Sequence, residues 1–298
     1  MTRLDVNVSA LVKAYRIGKI EVQALRGLSM EVSEGELVSI IGPSGSGKTT
    51  LLNIIGGLDQ ATAGSVKVGD TEVTALSTTQ LVDYRRKTVG HIFQMLNLMP
   101  TMTAAENIEL PMIAAGASRR ERKERVQELL EIVGLTDRAP HKPEELSGGE
   151  QQRIAIAAAL ANNAPVLLAD EPTGELDTAN AKIVVNYLMK VNKELGKTII
   201  MVTHDPSVAR VTDRILRIED GVIKMAVSPS EVVLEEKAVS YVDQLKKRIK
   251  EIDAQLLQLD KDFRDSKLIG DEYVEKRLGF KQLKDSLREE LHRMGVVS

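Results

Sequence analysis

The sequence contains no cysteine, which excludes disulfides and thiolate metal sites and is in keeping with a reducing compartment such as the cytoplasm. It contains no run of about 18 apolar residues, so no segment is expected to cross a bilayer as a helix. Residues 1–16 lack the basic-then-apolar pattern of a secretion signal, and none is expected. A net charge of −3 gives no reason to expect steering toward nucleic acid or anionic lipid. Long-period repeats and low-complexity stretches are missing as well. What remains is 43% hydrophobic and 28% charged over 298 residues, a water-soluble chain long enough for one large domain or two modest ones. Any role at a membrane must then run through a partner.

Up to about Lys224 the pattern alternates strands and helices, which predicts an α/β domain over residues 1–227. Leu37-Val38-Ser39-Ile40-Ile41, Val166-Leu167-Leu168-Ala169 and Thr198-Ile199-Ile200-Met201-Val202 are short apolar runs. Strands buried on both faces of a parallel sheet read this way. Each run ends in polar or glycine residues, and ligands sit at the carboxyl ends of such strands. Residues 96–160 are predicted helical, with capping boxes at Thr103/Glu106 and Ser118/Glu121 and a stop at Gly134. From residue 228 glycine nearly vanishes and charge density climbs. Val242, Leu245, Ile249, Ile252, Leu256, Leu259 and Phe263 step by threes and fours, a heptad seam. Tyr273, Phe280, Leu283, Leu287 and Leu291 mark a second apolar face. A helical hairpin over residues 228–298 is expected, with its turn at Gly270 and Asp271 capping the returning helix.

The strand at residues 37–41 runs into Gly42-Pro43-Ser44-Gly45-Ser46-Gly47-Lys48-Thr49, followed by Thr50 and an apolar helix. That is the P-loop pattern in its strand–loop–helix context. Glycines let backbone N–H groups converge on phosphate oxygens, and the helix dipole adds attraction. Lys48 is placed for the β- and γ-phosphates, and Thr49 for Mg²⁺. Asp170 and Glu171 follow the second buried run, where one carboxylate can hold the Mg²⁺ shell and the other can orient or deprotonate water. Alone, such a pair is more often a solvated turn, and a lone histidine such as His204 is usually structural. Their expected position beside the P-loop strand is what favours the functional reading. Ser147 and Glu150 form a third capping box, yet Gly148 and Gly149 in the first turn each cost about 1 kcal/mol against alanine. They make sense where bare amides must approach an anion closely.

In this order the residues resemble an ATP-binding subunit of the ABC family over about residues 6–224. The P-loop comes first, then a glutamine loop at Gln94, the signature Leu146-Ser147-Gly148-Gly149-Glu150-Gln151 and the acidic pair. Gly174-Glu175-Leu176-Asp177 and the switch histidine His204 follow. Ile54-Ile55-Gly56-Gly57-Leu58-Asp59 and Phe93-Gln94-Met95-Leu96-Asn97-Leu98 look like the branch holding macrolide-exporter, lipoprotein-releasing and cell-division ATPases. The resemblance implies a mainly parallel sheet, an antiparallel β part and a helical subdomain. It implies ATP and Mg²⁺ as ligands, Tyr15 stacked on adenine, and Gln94 sensing Mg²⁺ and the γ-phosphate. Glu171 is then the catalytic base, His204 braces the γ-phosphate and water, and Asp177 reaches across a dimer interface.

It further implies an ATP-dependent homodimer, in which the signature of one subunit completes the site of the other. The dimer would sit on the inner face of the cell membrane through a permease-type subunit on a separate chain, and the C-terminal hairpin is free to dock a partner. Three residues depart from the pattern: Glu150 stands for glutamine, Glu175 for a small or amide residue, and Ala158 for arginine. None removes a catalytic group. A soluble ABC ATPase acting on DNA or ribosomes is the rival reading, but the chain has no very long inserted coiled coil, one ATPase domain and no basic charge. A non-hydrolysing scaffold is the other, and the intact Lys48, Asp170, Glu171 and His204 argue against it.

Overall fold

The computed structural model describes residues 4–18, 20–227, 229–264 and 270–293. They fall into two compact units, Met1–Pro229 and Ser230–Ser298. The first begins with strands β1 (Val6–Ile17), β2 (Ile20–Val32) and β3 (Leu37–Ile41), then helix α1 (Lys48–Ile55), β4 (Ala63–Val68) and β5 (Thr71–Glu72). Helix α2 (Thr78–Lys87) and β6 (Val89–Ile92) lead to α3 (Ala104–Ala114), α4 (Arg119–Ile132) and α5 (Gly148–Ala159). The chain continues through β7 (Val166–Asp170), α6 (Thr178–Leu195), β8 (Thr198–Val202), α7 (Pro206–Ala209), β9 (Arg214–Glu219) and β10 (Val222–Val227).

The strands form two sheets. One is antiparallel in the order β2-β1-β4-β5; the other runs β10-β9-β3-β8-β7-β6 and is parallel except at β10. The tight β9–β10 turn places Asp220 and Gly221 at φ 49° and 77°, the left-handed pair a two-residue hairpin needs. The three apolar runs are β3, β7 and β8, and β3 and β8 are buried at every position. Alternate residues feed two cores. Leu37, Leu167, Ala169, Ile199 and Met201 join Leu129, Leu130, Ile154 and Leu188 on one face. Val38, Ile40, Leu168, Ile200 and Val202 join Leu51, Ile55, Leu11 and Leu28 on the other.

The three capping boxes form as expected, at Thr103/Glu106, Ser118/Glu121 and Ser147/Glu150. Gly134 follows α4 in the left-handed region at φ 65°. One expectation needs correction: β7, which carries the acidic pair, is not beside the P-loop strand β3. Strand β8 lies between them, because the chain returns through α6 to fill the sheet's centre.

The second unit consists of α8 (Pro229–Arg264) and α9 (Gly270–Arg293). Phe263 stacks on Tyr273 at 4.2 Å, Asp260 accepts from Arg277 at 3.1 Å, and Lys284 pairs with Asp253. These pairs run in opposite directions along the chain, so the helices are antiparallel. Leu245, Ile252, Leu259 and Leu291 are buried, while Phe263 and Leu283 are exposed, which narrows the expected apolar faces. The side chain of Val242 lies outside the described residues. Gly270 is the first residue of α9 rather than a turn residue, and Asp271 stands inside its first turn.

Helix α5 is pressed against β6. A Cβ on Gly90 would lie 2.3 Å from the Ala159 carbonyl oxygen and 2.7 Å from Leu167 Cδ2. A backbone oxygen cannot swing aside as a side chain can. Gly90→Ala is therefore expected to cost about 1–3 kcal/mol by overpacking, seen as a lower midpoint of urea unfolding. An unchanged midpoint would show that α5 can retreat freely from the sheet.

Candidate active site

The loop between β3 and α1 is wound tightly enough to need glycine. Gly45 and Gly47 take φ of 78° and 102°, and a Cβ on Gly47 would sit 2.5 Å from the Ala24 carbonyl oxygen. Ser44 and Gly45 are exposed, whereas Ser46 and Lys48 are buried. The Lys48 ammonium donates to the carbonyl oxygens of Gly42 at 2.9 Å and Pro43 at 2.8 Å, which holds the charge against the loop. Burial pushes its pKa down, and the carboxylates of Glu171 and Asp170 pull it back up. Helix α1 opens at Lys48 with Gly47 as N-cap and no side-chain cap, so its first amides face the loop without a competing oxygen.

Asp170 ends β7 and accepts a hydrogen bond from Thr49 Oγ1 at 3.2 Å. Residues 121 apart in sequence are thereby joined across the sheet's carboxyl edge. Burial pushes the Asp170 carboxyl up, the Thr49 hydroxyl pulls it down and the neighbouring Glu171 charge pushes it up again. Among the described residues no cluster of three or more His, Cys, Asp or Glu surrounds this point. The donor set of one hydroxyl and one carboxylate still fits Mg²⁺, which keeps several waters and takes further oxygens from a phosphate.

Glu171 carries its own constraint: a non-glycine residue at φ 46°. Its N–H donates to the Val202 carbonyl at 2.9 Å, fixing it to the end of β8. Its Oε2 lies 2.7 Å from Nδ1 of His204, two residues beyond β8. The side chain of Glu171 is 20% exposed and that of His204 64%, so the pair opens to solvent. Strained backbone that points a carboxylate outward clusters at functional sites and costs about 1–3 kcal/mol. Gln94 is exposed in the loop leaving β6, two residues beyond Ile92, which is paired with Ala169.

Tyr15 lies on β1, and its hydroxyl donates to Asp59 Oδ2 at 2.7 Å and approaches Thr50 Oγ1 at 3.4 Å. The Lys13 ammonium sits 4.7 Å from the ring centroid and pairs with Asp59 Oδ1 at 2.6 Å. Burial pushes the Tyr15 pKa up. The ring is thus anchored over the start of α1. Lys13 and Asp59 were not foreseen from sequence; only the pairing of β1 with its neighbours brings residues 46 apart together.

The signature segment stands apart. Ser147 and Gly148 are exposed at the head of α5, and no hydrogen bond among the described residues links residues 147–150 to residues 42–50. Gly149 is buried, and a Cβ there would lie 2.5 Å from Asn180 Oδ1, while one on Gly148 would meet only Leu176 Cδ2 at 3.5 Å. Gly149 therefore has a packing reason within the chain, and only Gly148 leaves its surface open for another group. Asp177 caps α6, accepting from the amides of Ala179 and Asn180 at 2.9 Å and from the Asn180 side chain at 2.7 Å. The structure brings together Lys48, Thr49 and Asp170, then Glu171 with His204, and Tyr15 with Thr50. It does not join these to Ser147, Gly148, Glu150 or Asp177 within one chain.

Comparison with known proteins gives the same frame. The family profile described as ABC transporter matches residues 25–174. An uncharacterized ABC transporter ATP-binding protein of Thermotoga maritima is 51% identical over 71% of this chain and 90% of its own length. The lipoprotein-releasing system ATP-binding protein LolD of Bacteroides thetaiotaomicron is 48% identical over 68% of this chain and 93% of its own. A solved dimer of the ATP-binding cassette MJ0796, in a post-hydrolysis state bound to ADP and Pi, superposes with a TM-score of 0.70 at 44% identity. It covers 75% of this chain and 98% of that structure. With its P-loop, acidic pair and histidine set on this fold, the chain belongs to the ABC transporter ATP-binding family and is an ATPase.

Proposed function

We propose that the chain is the ATP-hydrolysing subunit of a membrane complex of the exporter or lipoprotein-releasing kind, working as a homodimer closed around two ATP molecules. The observation that carries this reading is the Glu171–His204 contact of 2.7 Å beside the Thr49–Asp170 contact of 3.2 Å. The likeness to LolD and to a solved dimer of the same fold supports it. Among the described residues no helix is long and apolar enough to cross a membrane, and in this reading the membrane-spanning part is a separate subunit.

In this reading the amides of Ser44, Gly45, Ser46, Gly47, Lys48, Thr49 and Thr50 hold the phosphates, and Tyr15 supports the adenine. Thr49, Asp170 and Gln94 hold Mg²⁺, which when bound draws charge from the β- and γ-phosphates. Glu171 accepts a proton from the attacking water, while His204 fixes the carboxylate's direction and braces the γ-phosphate. Water adds to the γ-phosphorus and ADP leaves.

Ser147, Gly148, Gly149 and Glu150, with Asp177, complete the site of the opposing subunit. ATP thus favours the closed dimer, and hydrolysis removes the bridging phosphate and releases it. The Gln94 loop passes the change to the membrane subunit. The helical unit from residue 230 serves as a docking or regulatory addition.

Glu171→Gln should keep ATP binding and slow turnover by about 10²–10⁴-fold, because the base is lost and the phosphate contacts remain. It should collect as an ATP-dependent dimer on gel filtration; a monomer that hydrolyses normally at saturating Mg-ATP would remove Glu171 from the role of base. Ser147→Arg should bind ATP almost normally yet fail to hydrolyse it, measured as affinity and turnover on one preparation. Normal turnover there would reduce the segment to a helix cap. Truncation after Pro229 should leave ATP binding and Glu171→Gln dimerisation intact while weakening assembly with the membrane subunit. Loss of soluble nucleotide-binding protein would make the second unit part of the core.

A further inference from the structure

The signature carries a charge at a place where charge is costly. Glu150 Oε2 accepts from the Ser147 amide at 2.8 Å and from the Ser147 hydroxyl at 2.8 Å. Oε1 accepts from Arg138 Nε at 3.1 Å. The bonds from Ser147, with Arg138 behind them, hold the Glu150 carboxyl down at about 2, so the group is fully ionised at neutral pH. The glutamate sits three residues beyond Ser147, the hydroxyl proposed above to meet the other subunit's γ-phosphate. A carboxylate and a phosphate repel one another, and in a closing interface from which water is leaving that repulsion grows.

Arg138 stands at the end of a short turn, Thr136–Arg138, outside α5. It spans 12 residues to reach Glu150, and its second contact is to Asp137 at 3.0 Å. Asp137 is 73% exposed against 21% for Glu150, so water screens Asp137 more, and the guanidinium is the counter-charge set against Glu150. A capping box itself asks only for an acceptor at this position, which an amide would supply as well. The choice of a carboxylate creates a need for a counter-charge that an amide would not have.

We propose that Arg138 is a positioning residue for ATP-driven dimer closure: it neutralises Glu150, so that the Ser147 turn can accept the γ-phosphate held by the opposing subunit. To donate to that phosphate, the Ser147 hydroxyl must turn away from Oε2. The carboxylate then keeps its amide bond and its guanidinium and is not left as a bare charge facing the ligand. Arg138 touches neither nucleotide nor water; it acts through Glu150. The proposal rests on the cross-subunit role of the signature given above.

The test is a double-mutant cycle in the full-length Glu171→Gln chain, with Mg-ATP-dependent dimerisation followed by light scattering. Arg138→Met should raise the half-saturating ATP concentration roughly three- to tenfold, the range for a unit charge at a partly solvated surface. Arg138→Lys, which keeps the charge, should recover most of the loss. In a Glu150→Gln background, Arg138→Met should move the midpoint by less than about twofold. Raised salt should shrink the effect of Arg138→Met, because it screens repulsion. A merely structural arginine would give the same loss with glutamine at 150, matched by a lower melting temperature, and that outcome overturns the proposal, as does an unchanged midpoint for Arg138→Met. The Ser147→Arg chain separates the two levels: if it still dimerises with ATP, the signature reading itself fails.

Discussion

Strands β3, β7 and β8 are buried on both faces, and their common carboxyl edge is where Lys48, Thr49, Asp170, Glu171 and His204 are delivered. Because β3 pairs with β8, and β8 with β7, in a fixed parallel register, the three strands stop at nearly one level. A one-residue slip would exchange the two cores that alternate residues fill, so the register is held by the whole apolar interior. The Thr49–Asp170 and Glu171–His204 contacts are consequences of that constraint. Loops set the chemistry, but the sheet sets the distances.

The site is held under electrostatic and conformational load. Burial pushes Lys48 down and Asp170 up, while the carboxylates beside Lys48, and Thr49 and Lys48 beside Asp170, pull the other way. In the proposed cycle an ATP–Mg²⁺ complex would bring phosphate to Lys48 and a cation to Asp170, offsetting the burial of both charges at once. Glu171 at φ 46° is held by its amide bond to Val202 and by its contact with His204. A relaxed backbone there would turn the carboxylate away from the edge.

The sequence was most legible where the signal is local. The P-loop, the three buried strands and the capping boxes at residues 103, 118 and 147 need only neighbours within a turn or a strand, and each formed as read. Long-range pairings were not legible. Nothing near Tyr15 announces that Asp59 will take its hydroxyl, because the register of β1 with its bulges decides it. Strand order was misjudged for the same reason: β8, last of the three in sequence, occupies the middle. Gly149 looked like a phosphate-binding glycine and turned out to pack closely against the Asn180 side chain as well. In the second unit the heptad positions were right in period but too generous in width, since Phe263 and Leu283 remain exposed.

The same local bonds that make the signature a good helix start also make it reluctant to bind. The Ser147 hydroxyl donates to Glu150 and its oxygen accepts from the Glu150 amide, so both of its capacities are spent within the chain. In the proposed closed dimer an incoming phosphate replaces the first of these, a bond to an ionised carboxylate and so itself charge-assisted. The bond to phosphate that takes its place is of the same charge-assisted kind. The exchange is therefore close to balanced, and the hydroxyl returns to Glu150 when the γ-phosphate is gone. A capping box at this position gives a helix end that is stable alone, and in the proposed cycle it yields to ATP on the facing subunit and recovers after hydrolysis. On that reading, reversibility of closure rests on the small difference between two hydrogen bonds of like strength.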